Sequence, residues 1–208
     1  MNAHEVVMLD LDSMCANLKD EFTALSGKRV LITGGAGFLG HYFIQSALHW
    51  NNHVHAQGAP IQVVVYDSFV RGMPQWLSKA EADPNLVLIR HDIRNPLPDD
   101  GGDFQFIIHA ASIASPTYYK RDPIGTMDAN VNGLRMLLEY ARGQKEKGRP
   151  VEGFLFFSSS EIYGQRDRAA KAHQRHSCCW WAFFISVASP GRTDPNARIL
   201  SRTHRRLP

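Results

Sequence analysis

Arg29-Val30-Leu31-Ile32-Thr33-Gly34-Gly35-Ala36-Gly37-Phe38-Leu39-Gly40 is the stretch on which the fold turns. Its first residues are aliphatic and β-branched and read as a short buried strand. Glycines follow at once, and His41 to Trp50 continues as a helix. Gly34, Gly37 and Gly40 stand three apart, the G-x-x-G-x-x-G form of a dinucleotide loop. Glycine permits the tight turn and lets the backbone approach a pyrophosphate. The helix behind it offers unpaired N–H groups and a partial positive charge. A glycine pattern alone is a weak signal. Strand, turn and helix in this order, with an acid ending the next strand, make a specific one.

That acid is Asp67, at the end of a second strand, Ile61 to Tyr66. A carboxylate there can bond the adenosine ribose hydroxyls and repels a 2′-phosphate, which favours NAD over NADP. His49 to Pro60 lengthens the spacing and reads as a loop insertion. A third strand, Leu86 to Arg90, ends at His91-Asp92, where Asp92 accepts from an adenine amino group or forms a plain Asx turn. A fourth, Phe104 to His109, ends in Ala110-Ala111-Ser112, and a fifth, Val151 to Phe157, in Ser158-Ser159-Ser160. Asp122 to Arg142 reads as a long helix with Met127, Val131, Leu134, Leu137, Leu138 and Ala141 on its apolar side. Arg94 to Gly102 reads as an ordinary surface turn. The alternation predicts an α/β fold, a doubly wound parallel sheet of the Rossmann kind, incomplete at the C-terminus. Ligands of such sheets bind at the carboxyl ends of the strands.

Three segments are expected. Residues 1–27 form a helical extension, with Leu11, Met14, Leu18, Phe22 and Leu25 on one face of a helix over 10–26. Residues 28–164 form the dinucleotide-binding domain. Residues 165–208 form an atypical basic tail. Residues 1–164 hold 14 Lys+Arg against 18 Asp+Glu, a net −4, while 165–208 hold nine against two, a net +7. The tail has eight arginines, and Cys178-Cys179 beside Trp180-Trp181, with no sustained period. Three readings stand: a shifted reading frame, which fits the composition best; a nucleic-acid-binding tail; and a zinc site from His173, His176, Cys178 and Cys179, whose spacing fits no usual finger. Nucleic acid and metal are therefore not expected as ligands. No run reaches the roughly 18 apolar residues of a membrane span. Three cysteines, two of them adjacent, make no disulfide framework. A cytoplasmic location is expected.

Gly-Gly-Ala-Gly-Phe-Leu-Gly at 34–40, Tyr-Asp at 66–67, His-Asp-Ile at 91–93, His-Ala-Ala-Ser at 109–112, Asn-Val-x-Gly at 130–133 and Ser-Ser-Ser-Glu-Ile-Tyr-Gly at 158–164 occur in order. Together they resemble the NAD-dependent epimerase/dehydratase family of extended short-chain dehydrogenases. The resemblance implies that Phe38 and Leu39 flank the pyrophosphate, that Asp92 and Ile93 hold adenine, and that Ala110, Ala111 and Ser112 pass beside NAD. It implies that Asn130 bonds backbone inside the sheet. Ala-Ser-Pro-Thr-Tyr-Tyr at 114–119 and Asp-Pro at 122–123 look most like the UDP-glucuronate decarboxylases. That resemblance makes Ser159 the hydrogen-bond partner of the sugar O4. The pair Ser160-Glu161 has the form found in decarboxylases, whereas a 4,6-dehydratase has Asp-Glu and a 4-epimerase usually neither acid. A nucleotide-sugar substrate and a homodimer follow from the same resemblance. The family's general base is the Tyr of Tyr-x-x-x-Lys, and no such motif occurs among the 208 residues. The resemblance then implies NAD binding without turnover by this chain.

Overall fold

The computed structural model describes residues 2–55, 58–98 and 102–157, and the backbone of 182–185. The opening strand, β1 (Arg29–Thr33), lies inside a sheet ordered β3-β2-β1-β4-β5-β6. The other strands are β2 (Gln62–Asp67), β3 (Leu86–Arg90), β4 (Phe106–His109), β5 (Gly153–Phe157) and β6 (Ala182–Ile185). The first five are parallel, with Thr33 opposite Tyr66 on one side and His109 on the other. The strand order reverses between β2-β1 and β4-β5, so the carboxyl ends of β1 and β4 flank the switch point, where such sheets bind ligands.

Alternation along the strands sends successive side chains to opposite faces and so builds two cores. Val30, Ile32, Val63 and Val65 meet Ile44, Ala47 and Leu48 of α3 (Phe38–His49) and Leu77 of α4 (Gln75–Ala80). Leu31, Val64, Ile107 and Phe154 meet Leu137 and Ala141 of α7 (Gly133–Glu146) on the other face. The expected parallel sheet, helices on both faces, is the observed one.

Four details differ from the expectations. The N-terminal helix begins at the third residue, because Asn2 and Glu5 form a reciprocal cap: the Asn2 side chain accepts from the Glu5 amide, and the Asn2 amide donates to the Glu5 carboxylate, both at 2.9 Å. It breaks at Leu18 into α1 (Ala3–Asn17) and α2 (Lys19–Leu25). That break turns Leu18 outward, while Leu11, Cys15 and Phe22 are buried. The expected insertion loop begins as a π-turn, Trp50–Val54, that prolongs α3. Trp50 is buried between the rings of Phe22 and His55, and the Asn51 side chain bonds both backbone groups of Ile61.

The expected long helix is α5 (Pro116–Arg121), α6 (Pro123–Met127), a π-turn over Asp128–Asn132, and α7. The extra residue per turn rotates the stripe, so Met127 and Val131 are exposed and Ala129 and Gly133 face inward. Finally, β6 runs antiparallel to β5, pairing Ala182 with Phe157 and Ile185 with Phe154. Both ends of the connection between them, Phe157 and Ala182, therefore lie at the carboxyl end of the sheet. The remainder of the tail lies outside the described residues.

Candidate functional site

Local geometry gives each glycine of the loop a separate job. Gly34 has a φ of +74°, and a Cβ there would lie 2.6 Å from Ala111 Cα. Only glycine lets the loop turn and lie this close to the end of β4. A Cβ at Gly40 would strike the Gly35 backbone, so this position permits close packing of helix on loop. At Gly37 the only near atom would be the Gly34 carbonyl, at 3.2 Å. Gly37 is the N-cap of α3 and supplies no side-chain cap. The first amides of the helix are thus left to an incoming anion. Phe38 projects from the same turn and is 78% exposed, and Leu39 is half-buried.

Asp67 closes the loop from the neighbouring strand. One carboxylate oxygen accepts from the Ala36 amide at 2.9 Å, the other from the Phe69 amide at 2.8 Å. This fixes the carboxylate beside the glycine turn and leaves lone pairs for the hydroxyls of a ribose. Phe69 holds a φ of 49°, the only positive value at a non-glycine among the described residues, with the Arg90 guanidinium 5.5 Å from its ring.

Past β3, Asp92 is gripped by Arg94, whose Nη2 donates at 2.6 Å and whose Nε donates to both oxygens at 3.0 Å. This hydrogen bonding holds the Asp92 carboxyl below its ordinary pKa, against the smaller opposing effect of burial. Ile93 is buried and packs on Gly133, so its side chain belongs to the core. The start of the turn after Asp92 is therefore held by specific hydrogen bonds.

Two residues that the sequence did not single out join the strand ends. Thr33 Oγ1 and His109 Nδ1 are 2.7 Å apart, and the Ala111 amide reaches the same hydroxyl at 3.4 Å. His109 is 1% exposed and stacks on Phe156. Burial pushes its pKa down to about 4, and the Ala129 carbonyl, outside hydrogen-bond geometry, opposes this more weakly. The neutral ring shares a hydrogen bond with the threonine hydroxyl, which accepts from the Ala111 amide. This chain holds Ala110 and Ala111 against the glycine loop. The signal was present as a histidine at the end of an apolar strand, but burial decides its role. Ser112 is exposed at the same edge. Gly34, Gly37, Phe38, Leu39, Gly40, Asp67, Asp92, Ala110, Ala111 and Ser112 thus all lie on strand ends, loops or helix starts at one end of the sheet. Ser159, Glu161, His173, His176, Cys178 and Cys179 lie outside the described residues.

Residues 30–178 match the NAD dependent epimerase/dehydratase family. The chain belongs to that family. Among its curated relatives, UDP-glucuronic acid decarboxylase 6 of Arabidopsis thaliana is 34% identical over 139 residues, 67% of this chain and 36% of that protein. UDP-glucuronic acid decarboxylase 1 of Danio rerio is 34% identical over 137 residues, 66% of this chain and 28% of that one. The chain spans about a third of the length of such relatives. Two solved structures share the fold. A UDP-galactose 4-epimerase aligns with a TM-score of 0.51 at 24% identity, covering 67% of this chain and 41% of that one. A UDP-N-acetylglucosamine 4-epimerase from Methanobrevibacter ruminantium M1 aligns with a TM-score of 0.52 at 21% identity, covering 69% and 41%.

The cofactor of the family is NAD, and the residues present fit its ADP-ribose half. The side-chain-free Gly37, the uncapped start of α3 and the fixed Asp67 carboxylate are the groups that half requires. Among the described residues no group of three His, Cys, Asp or Glu side chains is placed to hold a metal ion, and no helix is long and apolar enough to cross a membrane.

Proposed function

We propose that this chain forms the NAD-binding part of a nucleotide-sugar-modifying protein of the UDP-glucuronate decarboxylase kind. The observation that carries the reading is the glycine turn, where Gly37, the least crowded of the loop glycines, starts a helix that has no side-chain cap. Bound NAD supplies reversible hydride acceptance, for oxidation of the sugar at C4 and its reduction after loss of carbon dioxide. The chain's own part is to seat the pyrophosphate on the Phe38 and Leu39 amides. Asp67 meets the ribose, and Asp92 with the Ile93 backbone meets adenine. Ser159 is assigned to the sugar O4 and Glu161 to the same substrate, both by resemblance. The relatives named decarboxylases support this substrate over those of a 4,6-dehydratase or a 4-epimerase.

One feature favours a second reading, in which the chain binds NAD without turning it over: no Tyr-x-x-x-Lys occurs in it. A homodimer would find an exposed apolar stripe in Ile124, Met127 and Val131. A cytoplasmic location belongs to the same proposal. Calorimetric titration with NAD and NADP tests cofactor choice, and NAD should bind more tightly. Equal or tighter NADP binding would overturn the role given to Asp67. Product analysis with UDP-glucuronate separates the readings: released carbon dioxide and UDP-xylose support the first, and NAD binding with no product supports the second.

A further inference from the structure

Arg94 lies between the loop after β3 and the start of α6. On one side its fork holds the Asp92 carboxylate. Oδ1 accepts from the Arg94 amide at 3.1 Å and from Nε, while Oδ2 accepts from Nε and Nη2. On the other side Nη1 is 3.8 Å from Asp122 Oδ2. Asp122 caps the start of α6, its Oδ1 accepting from the Gly125 amide at 2.9 Å. A Cβ at Gly125 would strike the Asp122 carboxylate and lie 2.8 Å from Arg94 Nη1, so the space over that glycine is filled by the pair. Asp128, at the start of the π-turn, adds a further negative field.

We propose that Arg94 is a positioning residue of the cofactor site, fixing the Asp92 carboxylate for the base and tying the loop after β3 to the start of α6. The proposal rests on the reading that Asp92 meets adenine. A carboxylate held by a planar fork has one orientation, whereas a lysine would hold it only as a point charge. The Nε contact is shared by both oxygens, so it is the one an incoming amino donor displaces at least cost. Arg94 therefore aims Asp92 without closing it.

The test uses the full chain titrated with NAD and with nicotinamide hypoxanthine dinucleotide, in which a carbonyl oxygen replaces the adenine amino group. The wild type should favour NAD by about tenfold, the worth of one hydrogen bond to a charged group. Asp92→Asn should reduce that ratio. Arg94→Met should bring it to within about twofold, through weaker NAD binding, and Arg94→Lys should restore only part. The melting temperature should barely move, because such a half-exposed ion pair contributes little to stability. A ratio lowered by Asp92→Asn but kept by Arg94→Met overturns the role of Arg94 and leaves the reading of Asp92 standing. Should the Met variant fail to fold, a full ratio in Arg94→Lys overturns it equally. A ratio that neither Asp92→Asn nor Arg94→Met moves overturns both.

Discussion

A methyl group at Gly34 would meet the backbone of Ala111, and one at Gly40 the backbone of Gly35, whereas one at Gly37 would reach only the Gly34 carbonyl. The three positions should therefore fail differently. Gly37→Val keeps an allowed extended conformation, with φ at −80°, and loses at most about 1 kcal/mol of capping. It should fold with near-normal circular dichroism yet show no NAD binding by calorimetry, because its side chain occupies the approach to the helix amides. Gly34→Ala should instead lower the melting temperature, since it combines a positive φ with a backbone clash. His109 gives a pH signature. Its folded pKa of about 4 lies below the ordinary 6.5, so the unfolded chain binds the extra proton between those values. Its contribution to stability is complete above pH 6.5 and is lost as pH falls towards 4, by on the order of 3 kcal/mol. Urea denaturation across that window should show the slope, and His109→Asn should flatten it. The spacing of the glycines and Asp67 was legible in the sequence because it follows from strand and helix periods. The grip of Arg94 on Asp92 was not, since it depends on how a turn folds two neighbours onto each other. The Thr33–His109 pair was hidden too, because the two residues meet only when β1 and β4 lie side by side.

Helices and strands followed their patterns in their interiors and departed from them at their ends. All five strands of the parallel sheet lie where nearly continuous apolar runs place them, and the central ones, β1 and β2, are almost wholly buried. The N-terminal helix starts earlier than its apolar stripe, since the Asn2–Glu5 cap sets its start. The stripe of the helix after Asp122 was misjudged at Met127 and Val131, because a π-turn resets the period and periodicity alone does not reveal one. The segment from His49 read as a loop since its polar residues, Asn51, Asn52 and His53, hide a helical continuation. The helices α1 and α2 are bound to the domain by specific contacts. Leu11 is 2% exposed, and Asp12 bonds the His49 ring at 2.7 Å. Leu11→Ala should cost about 2–5 kcal/mol in urea denaturation, the range for emptying a core leucine site. A cost under about 1 kcal/mol would mean that α1 is an appendage.

For the whole molecule, the sheet has β3 at one edge and β6 at the other among the described residues. The expectation of five parallel strands stands, but β5 does not keep an open edge, because four residues of the basic tail pair with it. Cutting the chain after Gly164 should uncover that edge and bring association beyond any dimer, as unpaired strand edges do. Sedimentation velocity of the two lengths at equal concentration reads this, and identical profiles would mean that β6 adds no protection. The stacking of Trp50 on Phe22 has a consequence for where this protein can be divided. Similarity to the family starts at residue 30, but one of the two cores already includes Cys15 and Phe22, and Trp50 also bonds the Ser26 hydroxyl at 3.1 Å. The border drawn by ancestry is thus not the border drawn by cooperative folding. A piece cut at the former would carry a large indole exposed to water where a partner ring used to lie, and the segment before it has become as much a part of the domain as the strands it precedes.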